Sequence, residues 1–95
     1  MTPRIAASID LNQNEIVNGL RGLGMTVQIL SATGKGCPDI LVGHIKSNIL
    51  LEIKSEGGRL TSHQVLWHDA WHGQVAVVRS LDEAIAEINR VIKGR

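Results

Sequence analysis

The chain contains no Phe and no Tyr, and its aromatic side chains are two Trp. Extensive stacking of nucleobases on rows of aromatic rings is therefore not expected. Cys37 is the single cysteine, which excludes an internal disulfide and a cysteine-rich zinc knuckle. The opening MTPRIAASIDL lacks the long apolar core of a signal peptide. No apolar run approaches the ~20 residues of a membrane-spanning helix. The expectation is a cytoplasmic protein with no membrane partner. Neither sign of charge dominates: ten Lys and Arg stand against nine Asp and Glu, a net charge of +1. That balance does not announce a nucleic-acid binder, and it does not exclude one, because local patches outweigh the total.

What is present describes one globular domain over residues 1–95. Hydrophobic residues make up 43% and charged residues 20%, a composition that folds. A chain this short buries only ~60–65% of its unfolded surface, so a second copy would add useful burial. Asp10 is placed to cap a helix over residues 11–23, with Ile16, Val17, Leu20 and Leu23 on one stripe and Gly24 ending it. Met25 to Ser31 reads as a strand and Ala32 to Cys37 as a loop. Asp39 to Ile45 and Ile49 to Lys54 read as two strands joined at Lys46-Ser47-Asn48, with Pro38 at the mouth of the first. Thr61-Ser62-His63-Gln64 has the form of a capping box and opens a second helix, closed by Gly73. Gln74 to Arg79 is a short strand. Ser80-Leu81-Asp82-Glu83 is a second capping box, before a helix lined by Ala84, Ile85, Ile88 and Ile92. The order is α-β-β-β-α-β-α, an α/β fold with a single mixed sheet flanked by helices.

Charged residues inside these strands need a reason. With a two-residue turn at Ser47-Asn48, Lys46 faces Ile49, Glu52 faces Gly43 and Lys54 faces Leu41. Period-two alternation then puts Asp39, Glu52 and Lys54 on one face of the sheet, and His44 on the other. A one-residue slip would send Asp39 to the wrong face. Ile40, Leu41, Val42, Ile49, Leu50, Leu51 and Ile53 surround the charges, so a covered cleft is expected rather than a solvated patch. Close carboxylates repel unless a cation lies between them, and a small set of oxygen ligands suits Mg²⁺ or Mn²⁺.

The motif Gly36-Cys37-Pro38-Asp39, then Glu52-Ile53-Lys54, then Gln64 in the following helix, with Glu15 in the first helix, resembles the virus-type replication-repair nuclease (VRR-NUC) domain of the PD-(D/E)xK nuclease superfamily. The resemblance runs from about residue 12 to residue 80. It implies a restriction-endonuclease-like core and a Mg²⁺- or Mn²⁺-dependent endonuclease that hydrolyses phosphodiester bonds in DNA, in keeping with a bacterial or phage origin. It implies Asp39, Glu52, the backbone carbonyl of Ile53 and Glu15 as metal ligands. Lys54 would hold or deprotonate the attacking water or stabilise phosphate charge, and Gln64 would orient Lys54 or touch the water. A bare core of this size points to recognition by shape, to a homodimer with two sites, and to branched DNA such as four-way junctions. The alternative is a catalytically silent nucleic-acid-binding or assembly module on the same fold.

Other readings compete at individual residues. Glu15 also suits a solvated first-helix position, and Gln64 also suits partnership with Thr61. His68 and His72 have a zinc-like spacing but no third soft ligand, so surface positions are expected. Trp67 and Trp71 share a stripe with Leu66 and Ala70, which predicts core packing. Lys35 and Arg59 lie on loops flanking the proposed site and are the best candidates for holding DNA phosphates.

Overall fold

A computed structural model describes residues 4–94, with side chains from residue 11 onward. The elements are α1 (Arg4–Gly22), β1 (Thr26–Ile29), a 3-10 turn (Ser31–Thr33), β2 (Ile40–His44), β3 (Ser47–Ile53), α2 (Ser62–Ala70), β4 (Ala76–Val78) and α3 (Leu81–Lys93). The four strands form one sheet in the order β1-β2-β3-β4. The first two pairings are antiparallel, and β3 pairs with β4 in parallel across the α2 crossover. The expected mixed sheet with helices is thus present. The first helix begins earlier than expected: Asp10 lies inside α1 and not at its cap.

One face of the sheet carries the core. Ile40, Val42, Ile49, Leu51 and Ile53 alternate onto it and pack with Ile16, Val17 and Leu20 of α1 and Ala84 and Ile88 of α3. The two helices approach closely at Gly19, where a Cβ would stand 2.5 Å from a Leu81 methyl. Gly24 adopts φ +89°, the left-handed position expected after α1. Ser80 caps α3 by accepting from the Glu83 amide at 3.1 Å. Glu83 itself accepts from the Arg79 amide at 2.8 Å, so it reaches one residue beyond the partner a capping box requires.

The β2–β3 turn differs from expectation. Ile45 and Lys46 occupy it with φ 49° and 62°, the two positive angles of a type I′ hairpin, and Leu41 faces Leu50 rather than Lys54. Positive φ is costly for a β-branched residue such as Ile45. The observed register places Ile40 against Leu51 and Val42 against Ile49, two fully buried apolar pairs beneath the helices. The expected register would have set Ile40 against Ser55. The displacement is four residues, an even number, so every side chain keeps its face.

The second face is covered differently. Helix α2 has no buried residue. Leu66 is 66% exposed and Trp71 45% exposed, so the expected packing of the Trp stripe in the core does not occur. Trp67 and Trp71 stack on each other instead, centroids 4.7 Å apart at 19°. The short β4 is extended by a side chain: Gln74 accepts from the Leu50 amide at 2.7 Å and donates to the Leu50 carbonyl at 3.0 Å. Among the described residues no helix is long and apolar enough to cross a membrane.

Candidate metal and phosphodiester site

The Ile40–Leu51 pair, continued by one residue, sets Asp39 opposite Glu52. The Asp39 carboxylate is fixed there because its Oδ2 accepts from the Ile53 amide at 2.7 Å. Glu52 is 1% exposed. Its Oε2 accepts from Gln64 Nε2 at 3.3 Å, while its Oε1 is buried with no hydrogen-bond partner. Burial pushes the Glu52 carboxyl up to about 8; a hydrogen bond and repulsion from Asp39 push the same way, and the Lys54 ammonium opposes them. Burial therefore favours the protonated Glu52 carboxyl near neutral pH. This arrangement favours either protonation or a cation in place of the proton.

Lys54 follows two residues after Glu52, on the same face and half-buried. Its backbone is tightly held. The amide donates to the Val78 carbonyl at 3.0 Å, and the carbonyl accepts from Asn12 at 3.0 Å. Asn12 also reaches the Arg79 carbonyl at 3.4 Å, so α1 clamps the ends of β3 and β4 together. Gln64 has two roles. Its Oε1 accepts from the Thr61 amide at 2.9 Å, and its own amide donates to Thr61 Oγ1 at 3.2 Å, completing the expected capping box. The remaining amide group is free to bind Glu52. The competing readings of Gln64 are therefore both satisfied by one side chain.

The loop before β2 packs against α2. Gly36 has φ +84°, and a Cβ there would come within 2.4 Å of the His63 carbonyl oxygen, so only glycine fits. Lys35, also at positive φ (58°), is exposed beside it. Cys37 lies close to both acids: burial first, then Glu52 and Asp39, push its thiol up, against a hydrogen bond to Thr33. The sequence motif contained Cys37 without assigning it a place.

Other candidates stand apart from the pair. Glu15 is exposed on α1. Among the described residues no group of three or more His, Cys, Asp or Glu side chains is placed to hold a metal ion. Arg59 is exposed in the loop before α2, and Arg79 donates to the Gly58 carbonyl at 2.7 Å, anchoring that loop. His72 is exposed as expected, but His68 is half-buried. Its Nε2 has no partner. Burial lowers its pKa, with Asp69 opposing and Lys54 reinforcing.

The chemistry of Asp39 and Glu52 fits a divalent cation. Two carboxylates meet at the end of a strand pair, and one buried oxygen lacks a donor. No protein-family model, curated protein or solved structure matches the chain.

Proposed function

We propose that the chain is a Mg²⁺- or Mn²⁺-dependent endonuclease acting on DNA, with a VRR-NUC-like, restriction-endonuclease-like core. The observation that carries this reading is the half-buried Asp39 beside the buried Glu52, whose Oε1 has no partner, followed two residues later by Lys54. Asp39 and Glu52 would hold the cation, with the Ile53 carbonyl as a third oxygen. When bound, the cation supplies neutralisation of charge on the phosphate oxygens. Lys54 presents its ammonium to the scissile phosphate or to the attacking water, a type of stabilisation that is often the largest catalytic contribution. Gln64 holds Glu52 in place. Lys35 and Arg59, exposed on the two loops at this end of the sheet, would contact neighbouring phosphates. A homodimer acting on branched DNA would present one site to each of two strands.

The second reading, a silent binding module, draws on the exposed position of Glu15 and the absence of a third acid beside the pair among the described residues. One experiment separates the two readings. Purified protein and Lys54→Ala are incubated with Mg²⁺ or Mn²⁺ and a linear duplex, a single strand, a supercoiled plasmid and a four-way junction. The nuclease reading expects cleavage that the variant reduces by about 10²–10³. Binding without cleavage in either metal supports the silent module.

A further inference from the structure

The sheet ends in two edge strands, β1 and β4. An open edge offers unpaired amides and carbonyls to any other strand. Strand β4 has three residues, a short template. Strand β1 lies in a run better suited to pairing. Met25-Thr26-Val27-Gln28-Ile29-Leu30 contains no charge, no Pro and no Gly, and its β-branched residues favour strands. Ile29 is 43% exposed, and Leu23, just before the run, is 56% exposed.

The ladder fixes which backbone groups of β1 face outward. The Leu30 amide donates to the Asp39 carbonyl at 2.7 Å. Leu30 and, by alternation, Gln28 and Thr26 therefore turn their backbone groups to β2. Val27 and Ile29 turn theirs to the open edge. Both outward carbonyls are occupied by side chains. The Val27 carbonyl accepts from Arg21 Nη2 at 3.0 Å, and the Ile29 carbonyl accepts from Gln28 Nε2 at 3.2 Å. Arg21 reaches the strand from the last turn of α1 and brings a charge to a run that has none of its own. An incoming strand has to displace both donors and strip water from the guanidinium, which is costly.

We infer that Arg21 and Gln28 close the β1 edge to strand addition by a second copy of the chain. Antiparallel pairing of two β1 strands about a two-fold axis would have the outward carbonyls of each copy accept from the outward amides of the other. Those carbonyls are the two already taken. The inference does not depend on the nuclease reading. It directs any pairing of two copies to a surface other than this edge.

The test is self-association of the double variant Arg21→Ala, Gln28→Ala, measured by sedimentation beside the parent. Both side chains are exposed, so the variant is expected to fold. Release of the two carbonyls should raise the association constant about tenfold over that of the parent. A rise below about twofold would overturn the inference. Adding Ile29→Pro removes an outward amide without touching the bonds to β2, and should return the triple variant to the state of the parent. Association that survives this change runs through another surface and also overturns the inference. Amide hydrogen exchange of the parent tests the edge without any substitution. The Val27 and Ile29 amides are expected to exchange about 10²-fold faster than those of Gln28 and Leu30. Equal protection of the four would show the edge already paired, and the inference would fall.

Discussion

The two faces of the sheet are built from the same two central strands, β2 and β3, and behave as opposites. Under α1 and α3, Ile40, Val42, Ile49 and Leu51 are fully buried, each facing another apolar residue across the β2–β3 pair. On the reverse face, one residue along each strand, lie Asp39, Leu41, Leu50, Glu52 and Lys54, beneath a nine-residue helix that buries none of its own side chains. The first face stabilises; the second holds a buried acid in a state that opposes stability. Strand alternation lets one short chain do both, because each change of residue on one face leaves the other untouched.

The largest effect on the first face should come from Leu51→Ala, which removes a fully buried side chain between the sheet and its helices. A loss of about 2–5 kcal/mol is expected, read by denaturant unfolding. A loss below about 1 kcal/mol would mean that this face is not the main source of stability.

Glu52 should show the reverse sign. Its folded-state pKa of about 8 lies above the ordinary 4.5, so between those values the folded chain holds a proton that the unfolded chain has released. Without divalent cation, stability from this group is therefore fully present below about pH 4.5 and is lost as pH rises through about 8. Glu52→Gln should flatten the decline and abolish the response to Mn²⁺. Melting curves of the two proteins from pH 4.5 to 9, with and without Mn²⁺, check this; parallel pH profiles would contradict the buried protonated carboxyl.

Two glycines of the loop before β2 offer a finer contrast. Gly34→Ala meets open space and bears only the strain of φ +73°, whereas Gly36→Ala also collides with the His63 backbone. The second should cost about 1–3 kcal/mol and reduce cleavage by displacing Cys37 and Asp39; the first should cost less and leave cleavage near its original rate. Equal effects would show that packing of this loop on α2 does not position Asp39.

The smallest expected effect separates the two roles of Gln64. Thr61→Ala and Gln64→Ala each remove part of the cap, at about 1 kcal/mol. Gln64→Ala alone also takes the donor from Glu52 Oε2. Cleavage lowered only by Gln64→Ala would assign the residue to the site, and equal rates would restrict it to the cap.

Much of the local architecture was legible in the residues. Thr61 and Gln64 announce a capping box and form one. Asp39 and Glu52 were expected on one face, and they share it although the turn lies at Ile45-Lys46 and not at Ser47-Asn48, because an even displacement preserves alternation. The start of α1 was misplaced because Asp10 is a good cap residue in sequence and a helix interior residue in space. The Trp stripe misled for a related reason. Trp67 and Trp71 have core-like spacing, but α2 buries none of its side chains and the two rings stack on each other. The Cys37 contact with the acids depends on how the Gly34-Lys35-Gly36 loop packs on α2, which no local pattern encodes.

Period-two and period-3.6 patterns, caps and turn residues were enough to say which side chains share a face, because these follow from backbone geometry within a few residues. The pairing partner of each strand residue and the burial of Glu52 were not encoded at that range. They depend on apolar pairs meeting across the sheet and on which helix covers which face, and those contacts exist only once distant segments have packed together.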